Sequence, residues 1–363
     1  MHAPPPTRRG FMKLSAGAAG GLVLGAILPK GVAAATPAAS PFVELATDGS
    51  VKVIVKHLDK GQGTATGLAA LVADELDVEP DAVSVVFAPA NPEVYKNFAF
   101  GVQGTGGSTG ISNAFQQYRE VGAALRAMLK SAAAKAGGVD PAEVTAELGV
   151  LTAGNQRATY GEMSTAAAAE PLPENAPLKS PSEWRYIGKD FPRQDLPQKT
   201  TGAVGLFGMD VQLNDMLVAV TARSPRFGGI VERYDATAAK AMPGVVDVVA
   251  VPQGVVVLAT TTWQAIQARD ALDIVWDFTN AENRSSDSIL AEYKDLLNTP
   301  GKPAAARGDA SAKLAAATAT VEAEFEFPFL AHTPMEPLDI TVRYDGSRVE
   351  FWTGSKIQTL DQG

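Results

Sequence analysis

Two glycine-rich segments are the parts of this sequence best suited to binding a ligand. The first glycine loop is GQGT at residues 61–64, and the second glycine loop is GTGGSTG at residues 104–110. Glycine lets the backbone approach a ligand closely and adopt positive φ, and the unpaired N–H groups at the start of a helix favour anions. Two such loops suit an extended ligand that carries phosphate. The residues predicted to bind it are Gly61, Gln62, Gly63, Gly104, Thr105, Gly106, Gly107 and Ser108.

Neither loop has the motif of a common nucleotide site. Both begin a GxGxxxG pattern, one residue longer than the dinucleotide fingerprint, and neither carries the lysine of the phosphate loop. ATP and NAD are therefore disfavoured as ligands. A strand-to-helix turn can require glycine for structural reasons alone, and this alternative stays open for each loop. The repetition of the pattern and the hydroxyl groups in the second loop favour binding.

Each glycine loop is predicted to lie just before a helix. Residues 50–58 (SVKVIVKHL) form a strand-like run before the first loop, and apolar side chains recur at helical spacing in residues 66–76. An aromatic stretch at residues 95–100 precedes the second loop. Residues 114–136 then form a long, alanine-rich helix with one apolar face. The two loops are thus expected in similar settings.

The composition is that of an acidic globular protein long enough for two or three domains. Of 363 residues, 46% are hydrophobic, and the formal net charge is −9. Nucleic acid is not an expected partner, because binding it needs a basic surface. The chain has no cysteine, so it cannot supply thiolates to zinc or to an iron–sulfur cluster. No metal ligand is predicted, since His332 and Glu336 are only two members of a site and Pro334 interrupts any helix between them.

The first 35 residues have the features of a twin-arginine signal peptide. Arg8 and Arg9 are followed by an apolar stretch at residues 14–28 and by three alanines at residues 33–35. The apolar stretch is shorter than the roughly 20 residues needed to span a bilayer. Twin-arginine export carries folded proteins, so it suits a protein that receives a cofactor in the cytoplasm. Residues 1–35 therefore predict a periplasmic protein.

Composition and patterning divide the rest of the chain into regions. Residues 42–165 form an α+β region that holds both glycine loops, and six prolines mark residues 166–198 as a linker. Residues 199–280 form a second domain with short β-branched runs. Its predicted strands lie at 216–222, 245–251, 255–260 and 272–276, and its predicted helices at 236–241 and 263–271.

The last part of the chain is predicted to begin a third unit. Residues 281–317 are a polar, alanine-rich connector, and the third unit spans residues 318–363. It starts with an alternating strand at 318–327. Asp345 and Gly346 then mark the turn of a β-hairpin.

Several of these motifs together resemble a known protein family. The GQG of the first loop and QGTGGS at residues 103–108 are joined by TGA at 201–203, RSPRFGG at 223–229 and AHTPMEP at 331–337. The sequence resembles the molybdopterin-binding large subunit of the xanthine dehydrogenase and aldehyde oxidase family. Within it, the similarity is greatest to the exported branch typified by the isoquinoline 1-oxidoreductase beta subunit. That family's large subunit continues well beyond the end of this chain.

The resemblance implies an α+β fold class and a cofactor. It implies the N-terminal part of a molybdenum-cofactor-binding domain, an α/β hammerhead domain over 199–280 and the truncated start of a second cofactor-binding unit over 318–363. The cofactor would be molybdopterin in its cytosine dinucleotide form, with molybdenum, held by both glycine loops. No catalytic residue is assigned, because the family's glutamate base lies in a C-terminal motif absent from this sequence. Many relatives have glutamine at the position of Lys356, and we expect this lysine to face solvent because burying its charge is costly.

The resemblance also implies partners and a reaction. An iron–sulfur small subunit would carry electrons away, and another chain would supply the missing C-terminal half. The substrate would be an aldehyde or an N-heterocycle, oxidised with oxygen derived from water. On this interpretation the chain is part of an exported molybdenum hydroxylase and is inactive alone. The alternative is an exported binding or scaffolding protein that keeps the cofactor-domain fold without turnover.

Export is predicted to depend on the arginine pair. Replacing Arg8 and Arg9 together by lysine should leave the precursor in the cytoplasm, because lysine keeps the charge but not the guanidinium groups of the pattern. Cell fractionation and immunoblotting measure the effect, with Lys30→Arg as a control that leaves the pair intact. Mature protein reaching the periplasm at the original rate in the double variant would contradict the targeting assignment.

Overall fold

The computed structural model describes residues 13–16, 22–25, 41–203 and 205–363. The arginine pair and the three alanines of the predicted signal peptide lie outside these residues, so export stays a prediction. The chain forms two compact units, the first comprising Met1–Asp210 with Asp339–Gly363 and the second Val211–Leu338. In the described part of the chain, no helix is both long and apolar enough to cross a membrane.

A five-stranded sheet forms one layer of the first unit. Its strands are hydrogen-bonded in the order β1-β2-β3-β4-β5, all antiparallel except the parallel pair β4 and β5. A parallel pair needs a crossover connection, which a helix supplies. Four of the five side chains of β4 are buried, which places this strand in the core. The strands are β1 (Lys13–Ala16), β2 (Leu22–Gly25), β3 (Pro41–Leu45), β4 (Val51–Val55) and β5 (Val83–Phe87).

Helices and a second, smaller sheet complete the core of the first unit. The helices are α1 (Thr64–Leu76), α2 (Pro92–Tyr95), α3 (Thr109–Gly137), α4 (Tyr160–Ala168) and α5 (Leu196–Thr200). The antiparallel strands are β6 (Thr145–Glu147), β7 (Val150–Ala153) and β8 (Gln156–Thr159). The two long predicted helices are confirmed, and each begins earlier than predicted because it starts at its glycine loop.

Glycine residues let α1 and α3 pack closely. A Cβ atom at Gly122 would lie 2.9 Å from Glu75 Cβ and 3.1 Å from the Val72 carbonyl oxygen, and one at Gly110 would lie 3.1 Å from Thr64 Cγ2. These contacts advance in the same direction along both helices, so the helices are parallel and their N-termini lie together. Each large aliphatic side chain buried around them stabilises the fold by about 1.5–3 kcal/mol. Among these side chains are Leu68, Leu71, Leu76, Val121, Leu125 and Leu129.

The segment predicted as a linker, residues 166–198, is an integral part of the first unit. It supplies partners to Asp74 and Glu75, two fully buried carboxylates of α1. Asp74 accepts hydrogen bonds from the backbone N–H groups of residues 185–187 at 2.8 to 3.1 Å, and Glu75 accepts one from the Lys179 N–H at 3.0 Å. Buried charges need such partners. The prolines therefore mark an irregular but anchored segment, and the units divide after residue 210 rather than at 199.

The second unit is also a mixture of strands and helices. A three-stranded antiparallel sheet has the order β11-β12-β9, and β10 pairs with β13. The strands are β9 (Val218–Ala222), β10 (Ile230–Asp235), β11 (Val245–Val251), β12 (Gly254–Ala259) and β13 (Asp273–Asp277). The helices are α6 (Thr237–Lys240), α7 (Thr262–Asp270), α8 (Ser286–Leu296) and α9 (Ala310–Ala315).

The sequence predicts most of these second-unit elements. The four strands and two helices predicted between residues 216 and 276 are confirmed. Strand β10 is not predicted, because Glu232 and Arg233 interrupt its apolar pattern. Helices α8 and α9 lie in the predicted connector. The α+β class is confirmed, whereas the hammerhead assignment stays a prediction.

The predicted strand at residues 318–327 is wrong. These residues are irregular, and Val321, Phe325 and Phe327 are 99%, 77% and 76% exposed. Alternation alone does not make a strand, because its backbone needs a partner strand, and none of the described strands pairs with this segment.

The predicted hairpin is confirmed, but it does not belong to a third unit. It consists of β14 (Thr341–Tyr344) and β15 (Val349–Trp352), followed by the short helix α10 (Gln358–Asp361). These elements lie in the first unit. Residues 318–363 are therefore divided between the two units, because the last 25 residues pack against the second glycine loop.

The close packing of α1 on α3 predicts a strong effect of a side chain at Gly122. Gly122→Val would place a Cβ within 2.9 Å of Glu75, and we expect the free energy of unfolding to fall by about 2–3 kcal/mol, as in overpacked cores. Ser112→Val is the matched control, because it adds the same side chain at an exposed position of α3. Urea denaturation measures both variants, and equal midpoints would contradict the packing described.

Candidate cofactor site

The N-termini of α1 and α3 lie side by side, and each directly follows a glycine loop. Neither helix has an acidic residue in its first turn. The residues before them, Gly63 and Ser108, have left-handed backbone conformations, and neither supplies a side-chain capping hydrogen bond. The positive ends of two helix dipoles therefore meet at the loops, which favours a bound anion.

A neighbouring carboxylate pairs with two amides of the first glycine loop and with the amide of Ala65 just after it. Asp59 accepts hydrogen bonds from the N–H groups of Gly61 at 2.8 Å, Gly63 at 3.2 Å and Ala65 at 2.9 Å. Gly61 and Gly63 have φ values of 104° and 89°, which glycine adopts without steric cost. Asp59 thus occupies the place where the sequence predicts a ligand anion.

The Gln62 side chain is also engaged within the first loop. Its amide group donates to the Leu58 carbonyl and to the Thr64 hydroxyl, both at 3.0 Å. Its oxygen accepts the Lys60 N–H at 2.7 Å. To bind a phosphate through these groups, the first loop would have to exchange the partners that it already holds.

The second glycine loop keeps its binding groups available. Gly107 and Ser108 have φ values of 57° and 54°, and their N–H groups donate to no described residue. The left-handed conformation is uncommon for a residue with a Cβ atom such as Ser108. Thr105 is 6% exposed, and its hydroxyl has no hydrogen-bond partner in the described part of the chain. Buried polar groups without partners are rare in folded proteins, and a ligand is one explanation for them.

Two further glycines of the second loop, Gly104 and Gly106, do not need positive φ. A Cβ at Gly104 would lie 2.9 Å from Ile357 Cγ2, so a small residue is needed for the C-terminal segment to approach. Gly106 also lacks positive φ, and a Cβ there would meet only Phe100, at 3.7 Å. Of these glycines, Gly107 therefore provides the positive φ that the sequence predicts, and Gly104 allows Ile357 to pack closely against the loop.

Segments distant in sequence hold the second glycine loop in place. The Asn97 side-chain amide donates to the Gly104 carbonyl at 3.4 Å and to the Thr109 hydroxyl at 2.7 Å. On the other side, the Thr105 N–H donates to the Lys356 carbonyl at 2.8 Å. The Lys356 side chain is exposed, as predicted. The loop geometry thus depends on contacts that span about 250 residues of chain.

Cationic side chains lie near the two loops. Lys60 and Lys356 are both exposed, and a hydrogen bond with Lys356 lowers the pKa of Lys60. Arg193 donates to the Gly61 carbonyl at 3.2 Å and is paired with Asp195 at 2.8 Å. Positive charge of this kind raises the local concentration of anionic ligands.

Two basic residues are buried behind the second glycine loop. Lys56 is 1% exposed, and its ammonium group donates to the Lys96 carbonyl at 3.3 Å and lies 4.3 Å from the centre of the Phe98 ring. Burial lowers the pKa of Lys56 from 10.5 to about 7. His57 is fully buried and faces the Asn113 side chain, yet neither ring nitrogen completes a hydrogen bond with a described residue.

The structure divides the predicted site residues into two groups. The second loop fits an anionic group such as phosphate, whereas the first loop already pairs the Gly61 and Gly63 N–H groups and the Gln62 side chain within the protein. Among the described residues, no group of three or more His, Cys, Asp and Glu side chains is placed to hold a metal. The sequence analysis does not identify Asp59, Lys56 or His57. An aspartate shortly before a glycine turn is a recognisable signal for backbone capping, but nothing in the sequence shows that Lys56 and His57 are buried.

Comparisons with known proteins identify the family of the chain. Residues 8–223 match the family model of the molybdopterin cofactor-binding domain. The chain is 31% identical to the beta subunit of isoquinoline 1-oxidoreductase from Brevundimonas diminuta, over 92% of this chain and 48% of that protein. It is 28% identical to the membrane-bound aldehyde dehydrogenase (pyrroloquinoline-quinone) of Gluconacetobacter polyoxogenes, over 98% and 48%. It is 25% identical to a nicotinate dehydrogenase subunit from Pseudomonas putida, over 87% and 27%.

The chain spans about half the length of the first two relatives and about a quarter of the third. Among solved structures, quinoline 2-oxidoreductase from Pseudomonas putida 86 has a TM-score of 0.26 and 17% identity, over 37% of this chain and 17% of that one. The family model covers more than half of the chain, and its match includes both glycine loops. The chain therefore belongs to the molybdopterin-binding family of xanthine dehydrogenase and its relatives.

Proposed function

We propose that this chain binds the phosphate-bearing arm of molybdopterin at the second glycine loop, as part of a molybdenum-dependent oxidoreductase. One observation carries the proposal. Two parallel helices bring their N-termini to a loop with free N–H groups at Gly107 and Ser108 and an unpaired, buried hydroxyl at Thr105, as far as the described residues show. These groups are hydrogen-bond donors, and phosphate oxygens are strong acceptors. Family membership supports molybdopterin as the ligand.

The first glycine loop would contribute shape more than hydrogen bonds. Asp59 pairs with the Gly61 and Gly63 N–H groups, so these two donors are already engaged without a ligand. A Cβ atom at Gly61 would meet nothing within 4 Å in the described part of the chain, which leaves space beside the loop. We propose that the pterin lies against the open backbone at Gly61, beside Gly63 and the Arg193 guanidinium that contacts it, while the negative charge of the arm is held by the second loop.

The reaction would follow from the cofactor and not from a base on this chain. When bound, molybdopterin with molybdenum supplies oxidation of an electron-poor carbon with oxygen derived from water. The relatives are named for isoquinoline, aldehyde and nicotinate. These names support an aldehyde or an N-heterocycle as the substrate class, and we propose the cytosine dinucleotide form of the cofactor. The described residues would bind and orient the cofactor, and none is assigned to proton transfer.

Partners are proposed from composition and exposed surface. The chain has no cysteine, so electron transfer through an iron–sulfur cluster would require a small subunit that carries the cluster. Two of the relatives are named as subunits. In the second unit, Val321, Phe325 and Phe327 are largely exposed, and apolar surface of this kind is typical of protein interfaces. We further propose that the assembled protein is exported to the periplasm through the signal containing Arg8 and Arg9.

A second candidate function is an exported binding or scaffolding protein without turnover. The pairing of Asp59 with the first loop favours it, because that half of the site is satisfied without any cofactor. One relative is named for pyrroloquinoline-quinone, a cofactor other than molybdopterin. The cofactor of this chain should therefore be measured directly. Molybdenum and pterin content of protein purified from a molybdenum-replete host distinguishes the two functions.

The unpaired hydroxyl of Thr105 allows binding to be separated from stability. Thr105→Val removes a donor that has no partner among the described residues, so the fold should keep its stability while the molybdenum and pterin content falls about tenfold, as expected for loss of one phosphate contact of about 1.5 kcal/mol. Thr109→Val is the matched control. Its hydroxyl accepts from Asn97 and donates to Gly106, both at 2.7 Å, so this variant should lose stability.

For both variants, elemental analysis measures molybdenum, fluorescence measures pterin, and thermal denaturation measures stability. Unchanged cofactor content in Thr105→Val would remove the second glycine loop from the binding site. Absence of molybdenum and pterin from the wild-type protein, isolated with its co-expressed partners, would favour the scaffolding function instead.

A further inference from the structure

The buried pair Lys56 and His57 is the feature of the first unit that the proposed cofactor site does not yet explain. A lysine ammonium with 1% exposure needs a counter-charge. In the described part of the chain, no carboxylate pairs with Lys56, and its contacts are one long hydrogen bond and one aromatic ring. His57 is fully buried, and both of its nitrogens lack partners among the described residues.

These two side chains lie directly behind the second glycine loop. The Lys56 ammonium contacts Lys96 and Phe98, which flank Asn97, the residue whose side chain holds the loop. The Phe98 N–H donates to the Asn113 side chain in the first turns of α3 at 3.4 Å. His57 faces the same Asn113 side chain as well as the backbone of the loop. His57 is thus placed against the N-terminal turns of α3, and Lys56 against the segment that holds the loop.

We propose that Lys56 and His57 form the floor of the anion site and that Lys56 takes up a proton when a phosphate or pyrophosphate group binds to the second glycine loop. This inference rests on the proposed function, because it assigns the charge balance of the same site. The amine accepts one proton from solvent, and no other bond forms or breaks. Above about pH 7 the amine of the empty protein is mostly neutral, which avoids the cost of a buried charge, and in the complex the ammonium offsets the negative ligand.

The surroundings of Lys56 support a proton-coupled role. The ionisable groups that face it are His57, whose ring lies near the amine, and Tyr118, whose hydroxyl accepts the backbone N–H of Lys56 at 2.9 Å and donates to the Ile54 carbonyl at 2.7 Å. Burial raises the pKa of Tyr118, so this residue stays neutral. Burial lowers the pKa of Lys56 to about 7, and burial with the Lys56 charge lowers the pKa of His57 to about 4. A nearby anion favours the charged form of either base.

The test uses the full chain, carbon-13-labelled at lysine, with inorganic pyrophosphate as the probe. The Lys56 signal is identified by its loss in Lys56→Met, and its titration is followed by NMR with and without saturating pyrophosphate. We expect the pKa of Lys56 to rise by at least about one unit on binding, which by linkage corresponds to about tenfold tighter binding of pyrophosphate to the protonated form. Calorimetry should show about tenfold weaker binding in Lys56→Met.

The matched control is Lys52→Met, on strand β4. Lys52 is exposed and pairs with Glu44 at 2.7 Å, so its removal takes away at least as much positive charge as the removal of Lys56 and leaves the site untouched. It should leave the affinity and the Lys56 titration unchanged. Equal weakening in both variants would mean that only net charge matters, and this would overturn the inference.

The remaining outcomes separate this inference from the proposed function. Binding of pyrophosphate without a change in the Lys56 titration would overturn the role of Lys56 and leave cofactor binding intact. No binding of pyrophosphate would also overturn the inference, while the proposed function would still be decided by the cofactor content of Thr105→Val. Equal affinity of wild type and Lys56→Met for pyrophosphate would likewise overturn the role of Lys56 and leave cofactor binding intact.

A second measurement requires no ligand. The folded chain holds the Lys56 proton less strongly than the unfolded chain, because the pKa is about 7 in one and 10.5 in the other. Between these values the unfolded state binds more protons, so the stability of the empty protein should rise with pH from about 7 towards 10.5. The stability of Lys56→Met should rise less over the same pH range, because the variant lacks the amine that titrates. A parallel pH dependence in both proteins would show that Lys56 is not held neutral, contrary to the inference.

Discussion

The parallel contact between α1 and α3 is the constraint on which the rest of the first unit depends. Gly122 against Glu75 and Val72, and Gly110 against Thr64, allow the helices to lie closer than side chains at those positions would permit. Because the helices run in the same direction, their N-termini meet at one place. Both glycine loops are brought together by this contact, and an anion at that place interacts with two helix dipoles rather than one.

The close helix pair carries buried charge that other segments must balance. Glu75 of α1 forms a buried ion pair with Arg119 of α3 at 2.6 Å, and the irregular segment after α4 supplies backbone donors to Asp74. Removing one partner of a buried pair typically costs about 3–5 kcal/mol, because it leaves an uncompensated charge. The segment at residues 166–198 is therefore held to α1 by these polar contacts as well as by apolar side chains such as Leu172, Ile187 and Phe191, which pack against the core.

The two glycine loops show different solutions to the same local problem. Each stands before a helix whose first N–H groups have no partner within the helix. In the first loop the carboxylate of Asp59 accepts from three N–H groups, whereas in the second loop the N–H groups at Gly107 and Ser108 donate to no described residue. Loops that look alike in sequence are therefore completed by different contacts.

The sequence alone was sufficient for the family, for both glycine loops and for most helices and strands, because these follow from local patterns. Helical spacing predicts α1 and α3, and turn residues predict the hairpin at Asp345 and Gly346. The strand expected at 318–327 was wrong, since a strand also needs a partner that local alternation does not supply.

Only the tertiary structure decided how the loops are completed and which groups stay free. The Lys356 backbone carbonyl accepts the Thr105 N–H, although the two residues are about 250 positions apart. Asp59 accepts N–H groups of the first loop. Lys56 is buried, and no carboxylate among the described residues pairs with it. These features depend on which distant segments are brought together and on how much water they exclude. A hydrogen bond or a pKa reflects that environment, and the identity of neighbouring residues along the chain does not reveal it.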